Sequence, residues 1–267
     1  MIHYDLPMEE YLAHPAIGSS TLKNIMLTAA DYKAALERKN DDTKSTSLGT
    51  AVHSVILEPE KFLSEYALQP EDWGPKNVGE GRKKWDAFKK ENQGKTVIGF
   101  DDAQFLARVQ LACSQNPFLK VHRINGKPEC TGFTQYSEKI GLKARADLLG
   151  KDIIWDVKTT SESVDDDNLF KLVFNSGYHF QAAHHMHVFN ALEAQIKSFG
   201  WIFISTKTPA VHIRMVQAPE ILLKWARNDH QYALNKLEKC LETNDWSGYP
   251  QQIHELEIPE WARKMYE

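Results

Sequence analysis

The chain has 267 residues, 42% of them hydrophobic and 25% charged, with 32 Lys+Arg against 36 Asp+Glu and a formal net charge of −4. That apolar content supports a large core and excludes a disordered chain, while no apolar run approaches the roughly 18 residues that span a bilayer. Three widely spaced cysteines, Cys113, Cys130 and Cys240, point to reduced thiols in a cytoplasm, and the acidic balance, taken as a whole-chain sum, argues against nucleic acid as a partner.

The first residues, Met1-Ile2-His3-Tyr4-Asp5, carry no basic or apolar export region. Ser19-Ser20-Thr21-Leu22 offers a Ser N-cap to a run with Leu22, Ile25, Met26 and Ala29 on one face, which predicts a helix over about residues 20–38. Polar residues 39–46 read as a loop. A second helix is expected from near Ser47, carrying Leu48, Val52, Val55 and Ile56 until Glu58-Pro59 ends it. Between Lys76 and Lys95 seven Lys/Arg face three acids, with Trp85 and Phe88 interleaved at helical spacing. Arg82, Lys83, Lys84 and Lys89 in that stretch suit the phosphates of a duplex. The plainer alternative is a solvated helix whose two aromatics pack inward.

Residues 101–114 predict another amphipathic helix. After Pro117 the pattern changes: residues 128–158 alternate as an antiparallel meander of about three strands, with turns at Glu138-Lys139 and Leu149-Gly150-Lys151. Helical spacing returns over 166–194, strands are expected at 196–204 and 210–217, and a long helix over 219–241. The tail from Asp245 reads as irregular until Pro259-Glu260-Trp261. This order predicts an α/β or α+β domain with an N-terminal helical layer, taken as a single domain over 1–267.

The segment Lys143-Ala-Arg-Ala-Asp147 to Asp156-Val-Lys158-Thr-Thr160 carries the chemistry. As a hairpin, its strand period puts Asp156 and Lys158 on one face and Val157 on the other, and the turn can bring Asp147 beside them. Two converging carboxylates are costly to bury without a compensating cation. A hard divalent ion with oxygen ligands, Mg²⁺ first, resolves that cost. Lys158 then serves to position a hydroxide or to stabilise charge on a phosphate. Gly49 and His53 share a helix face at i, i+4, as do Gln181 and His185, and Glu129 stands where a carboxylate can face the same pocket. Arg145 shares the strand face of Asp147; it suits a phosphate or a carboxylate equally.

Gly49-Thr-Ala-Val-His53, Glu129, Asp147, Asp156-x-Lys158 and a Gln181-x-x-x-His185 segment, in that order, resemble the RecE (exonuclease VIII) branch of the PD-(D/E)xK nucleases. The resemblance extends to Ile17-Gly-Ser-Ser-Thr-Leu-Lys23, Leu57-Glu-Pro-Glu-Lys-Phe62, Trp155-Asp-Val-Lys-Thr-Thr160, Gly177-Tyr-His-Phe-Gln181 and the tail Leu256-Glu-Ile-Pro-Glu-Trp-Ala262. One departure is His185, where the family usually has Tyr. Only His changes charge near neutral pH, so a phosphate-facing His185 is expected to add a pH dependence.

The resemblance implies a restriction-endonuclease-like core, a central mixed β-sheet flanked by helices. It implies an enzyme that degrades linear double-stranded DNA from the 5′ end and leaves a 3′ single strand. It further implies dependence on Mg²⁺, with Mn²⁺ substituting, and a ring-shaped homo-oligomer, trimer or tetramer. The partner is a RecT-like single-strand annealing protein, and the setting is the cytoplasm of a bacterial host, encoded by phage or prophage, with no membrane. Carried over, Asp147 and Asp156 are metal ligands with the Val157 carbonyl, Lys158 orients the attacking water, Glu129 and His53 complete or flank the metal site, and Gln181 with His185 positions the strand. Alternatives are another PD-(D/E)xK DNA nuclease, Cas4-like or a structure-specific endonuclease, or a non-catalytic DNA-binding partner of an annealing protein. A Cas4-like enzyme needs four cysteines for its cluster, and three are present. His179, His184, His185 and His187 invite zinc, but no HExxH or Cys–His spacing completes a site.

Overall fold

A computed structural model describes residues 1–37, 44–206, 210–253 and 255–265. The chain opens with β1 (Ile2–His3), α1 (Met8–Ala13) and α2 (Ser19–Leu22). The helix expected over 20–38 is broken here: α2 passes into a 3-10 turn at Lys23–Met26, and α3 (Ala29–Glu37) starts anew. Thr28 is the cause. Its Oγ1 accepts from the Asp31 N–H at 3.0 Å and donates to the Asp31 carboxylate at 2.6 Å, a reciprocal cap that begins a helix. The serines do not cap α2 with their side chains; Gly18 holds the N-cap position. Residues 39–43 of the expected loop lie outside the described residues, and α4 (Lys44–Leu57) starts ahead of Ser47.

Pro59 ends α4 and also opens α5 (Pro59–Glu65), because a first helical turn has no use for the missing N–H. Then β2 (Tyr66–Leu68), α6 (Gly79–Glu91) and β3 (Thr96–Ile98) form a small unit in which the two strands pair in parallel. α7 (Phe100–Gln115) agrees with its expected span. Pro117 repeats the role of Pro59: it opens α8 (Pro117–Asn125), capped by Asn116 Oδ1 accepting from the Leu119 N–H at 3.0 Å.

The meander is β4 (Lys127–Gln135), β5 (Gly141–Leu149) and β6 (Ile153–Thr160). α9 (Asp166–Asn175) and α10 (Tyr178–Ala191) lead to β7 (Ser198–Ser205), followed by β8 (His212–Gln217), α11 (Glu220–Thr243) and α12 (Glu260–Arg263). The main sheet runs β1-β4-β5-β6-β7-β8. Within this sheet, among the described residues, β6 and β7 are the one parallel strand pair, bridged by the α9–α10 crossover. Such a pair is covered on both faces, and β7 is buried along nearly its whole length. One face packs on α10, α11 and the α2–α3 region, the other on α4 and α7. α10 buries residues all round, as a helix enclosed by sheet and helices must. Trp155 lies over Gly200, its partner in register, where a Cβ would stand 2.3 Å from the indole. The mixed sheet flanked by helices matches the expected fold class.

One irregularity makes the site. β5 and β6 pair only at Leu148–Trp155 and Leu149–Ile154 and then part. Ile17 fills the gap on the β5 side: its N–H donates to the Gly141 carbonyl at 2.9 Å and its carbonyl accepts from the Lys143 N–H at 3.0 Å. The fork therefore opens without orphaning these backbone groups.

Candidate active site

Asp147 and Asp156 stand where the fork opens. Asp147 Oδ2 accepts from the Val157 N–H at 2.6 Å, a donor that a continuous hairpin would have used within its ladder. Asp156 is buried; Oδ2 lies 2.6 Å from Lys158 Nζ and Oδ1 accepts from Gln181 Nε2 at 2.9 Å. Strand alternation is as expected, with Trp155 and Val157 in the core under α4 and α7 and Asp156 turned toward α10. Val157 engages Asp147 through its N–H; its carbonyl, the ligand group the resemblance implied, is a separate atom that this bond leaves untouched.

His53, from α4, places Nδ1 3.5 Å from Asp147 Oδ2. Glu129, from β4, completes a trio: one ligand atom from each of His53, Glu129 and Asp147 falls within 4.8 Å of the others. Asp156 is not part of that trio and is engaged by Lys158 and Gln181. Burial raises Asp147 to about 6; His53 and Lys158 pull against this, while Asp156 and Glu129 add to it. For Lys158, burial alone would lower the pKa, but Asp156 and Asp147 outweigh it and hold the ammonium above its ordinary value. Lys158 Nζ also lies 4.9 Å from the centre of the Tyr178 ring, on its face.

The donor set suits a divalent cation: two carboxylates and an imidazole converge, and one of the carboxylates is short of compensating charge even beside Lys158. Among the described residues this is the one such group. The zinc reading of the histidine cluster fails at His184, whose two nitrogens are taken by the Lys143 carbonyl at 2.9 Å and His230 Nε2 at 3.1 Å.

A cavity of about 850 Å³ opens over the trio, walled by α1, α2, α4 and the start of α10. Gln181 and His185 line it. His185 corrects an expectation: burial, followed by repulsion from Lys158, lowers it to about 3, so it is neutral near pH 7 and adds no charge there. Its Nδ1 is buried without a partner. Arg145 lines the cavity too, and its Nε lies 2.5 Å from Glu129 Oε2, the carboxylate contact of its two readings.

Arg82, Lys83, Lys84 and Lys89 sit on α6, outside the cavity wall. Arg82 faces Asp86 at 3.6 Å, Lys83 pairs with Glu80 at 2.7 Å and Lys84 with Glu71 at 3.5 Å. Trp85 and Phe88, both half-buried, pack with each other, Phe88 meets Trp73 edge to face, and the Lys76 and Lys89 ammoniums lie over the Trp85 ring. Sequence reasoning gave no role to Tyr178, Lys23 or Tyr11, which also line the cavity. The segments holding Tyr178 and Lys23 stood among the resembling motifs; Tyr11 had no signal of its own.

A mixed sheet that forks at a carboxylate pair, with a lysine two residues beyond the second carboxylate, defines the PD-(D/E)xK class of nuclease folds. Residues 18–257 match the family described as a PDDEXK-like domain of unknown function (DUF3799), and the chain belongs to that family. No curated protein is significantly similar in sequence. A crystal structure from Eubacterium rectale, described as a candidate exonuclease, shares the fold with a TM-score of 0.60 at 14% identity, covering 98% of this chain and 94% of that one. A phage-related exonuclease from Haemophilus somnus 129PT gives a TM-score of 0.33 at 12% identity, covering 89% and 100%. LHK-Exo in complex with dAMP gives 0.29 at 12% identity, covering 75% and 93%. The last two scores are too low to carry an argument. Among the described residues no helix is long and apolar enough to cross a membrane.

Proposed function

We propose that this chain is a Mg²⁺-dependent exonuclease that digests linear double-stranded DNA from the 5′ end and leaves 3′ single strands for annealing. The observation that carries the nuclease reading is the fork, with Asp147 and Asp156 at its mouth and Lys158 Nζ held 2.6 Å from Asp156. His53, Glu129 and Asp147 would hold the ion, with Asp156 beside them. The bound ion supplies Lewis-acid stabilisation of charge on the phosphate oxygens and a more acidic water.

The protein's own groups do the rest. Lys158, fixed between Asp156 and the Tyr178 ring, presents its ammonium to the attacking water and to charge developing on the phosphate. Gln181 fixes Asp156 from the α10 side. His185, neutral and with Nδ1 unpartnered, offers a hydrogen-bonding edge to the strand without adding charge. Polarity, Mn²⁺ as a substitute, a ring-shaped trimer or tetramer, a RecT-like annealing partner and a bacterial, phage or prophage setting in the cytoplasm rest on the motif resemblance and belong to the same proposal.

The test is digestion of linear 5′-phosphorylated duplex with and without Mg²⁺, with closed circular DNA as the control. Linear duplex should be lost only with the ion, and the circle should resist. Lys158→Ala and Asp156→Ala should each cut the rate by at least about a thousandfold with unchanged circular dichroism. Substantial digestion by either variant would refute the assignment.

A further inference from the structure

Glu129 is the least expected member of the ion-binding trio, because its backbone lies in the left-handed region at φ 52°. Non-glycine residues are uncommon there and carry strain. The β4–β5 register runs Pro128–Leu148 and Cys130–Ala146, and Glu129 drops out of the ladder between them. Something must hold its carboxylate beside Asp147, since both are acidic and repel.

Arg145 is placed to do that. Nε lies 2.5 Å from Glu129 Oε2, and Nη1 donates to the Leu6 carbonyl at 2.7 Å and to Thr131 Oγ1 at 3.2 Å. The side chain is only 13% exposed. The guanidinium is thus anchored by neutral acceptors on one side and presents its charge to Glu129 on the other, a division of donors that its rigid planar fork allows and a lysine cannot copy. Leu6 belongs to the segment that carries Met8 and Tyr11 to the cavity wall, and Lys143 ties down the same segment through the carbonyls of Tyr11 (2.8 Å), Leu12 (3.2 Å) and His14 (2.7 Å).

From this geometry we infer that Arg145 is a positioning residue for the ion site: it holds Glu129 as a ligand and fastens the N-terminal segment to it, and it does not read DNA phosphate. The inference rests on the ion-binding reading above. It is tested on the full chain by titrating Mn²⁺, followed by the loss of the free-ion EPR signal, and separately by duplex binding in EDTA. Arg145→Met and Arg145→Lys should each weaken Mn²⁺ binding by about tenfold or more, as Glu129→Gln should. Arg145→Met combined with Glu129→Gln should be no worse than either alone, because both break one unit. Duplex affinity in EDTA should not change. Thr131→Val, which removes one anchor from an otherwise intact core, should give a smaller loss of the same sign and covers the case in which Arg145→Met fails to fold.

Wild-type Mn²⁺ affinity in both Arg145→Lys and Thr131→Val would overturn the inference. So would loss of duplex affinity in EDTA with Mn²⁺ binding intact, the signature of a phosphate contact. A wild-type chain that binds no Mn²⁺ would instead remove the ion-binding reading itself, and the role of Arg145 with it.

Discussion

At the scale of single residues, the site sorts its groups by what surrounds them. His185 and His53 both line the cavity, yet His185 is buried against Phe199 near Lys158 while His53 stands by Asp147. Because burial lowers His185 to about 3, His185→Tyr should leave the pH–rate profile between pH 6 and 9 unshifted. A shifted limb in that variant would mean that His185 titrates with substrate bound. Lys158, Asp147 and Asp156 were legible in the sequence because strand alternation and a short turn are local rules. The partner of Arg145 was not, since a guanidinium suits phosphate and carboxylate alike until distances decide. Glu129 was legible as a carboxylate at the start of the meander, able to face the pocket; nothing in its neighbours announces a left-handed backbone.

At the scale of elements, a chain of buried histidines joins strand to helix. The Lys143 carbonyl can only accept, so His184 Nε2 carries the proton and His184 Nδ1 accepts from His230 Nε2–H, linking β5, α10 and α11. Burial lowers His184 to about 3 and His230 to about 2, with repulsion from neighbouring imidazoles, His187 among them, adding to it. Their unfolded value is about 6.5. The fold therefore holds its full stability above pH 6.5 and loses it as pH falls toward 3, by about 1.4 kcal/mol per unit for each histidine. Denaturant midpoints measured from pH 7 to pH 5 should fall accordingly, and His230→Gln should flatten that slope. An equal slope in the variant would place the acid sensitivity elsewhere. Element boundaries came closest where amphipathic periodicity ran long, as in α7 and α11. They missed the break at Thr28 and the helices that open at Pro59 and Pro117, where one capping residue or one proline serves as both stop and start.

At the scale of the whole molecule, the net charge of −4 divides between an acidic fork and a cationic helix beyond the cavity wall. The fold class was legible from the order of elements. The fork was not, because it depends on Ile17 reaching β5 across more than a hundred residues. In the proposed exonuclease, the role put to the test for α6 is that of a peripheral phosphate track. Replacing Arg82, Lys83, Lys84 and Lys89 with Gln should reduce the slope of log affinity against log salt by about 3 to 4 while kcat stays unchanged, since none of them lines the cavity. Fluorescence-anisotropy titrations across salt would read it, and an unchanged slope would remove α6 from the DNA path.

The brief pairing of β5 with β6 has a mechanical consequence. Two residue pairs, a turn closed by the Gly150 N–H on the Ile153 carbonyl at 2.8 Å, and the Val157 N–H on Asp147 Oδ2 at 2.6 Å join these arms. This short stem sets the spacing at which Asp147 and Asp156 leave the ladder. A methyl group at Gly150 would already press on Ile153, whose carbonyl oxygen and Cγ2 would stand 3.0 and 3.1 Å away. In the proposed ion site, a substitution at this turn, which contributes no ligand, is expected to alter the preference among ions of different radius.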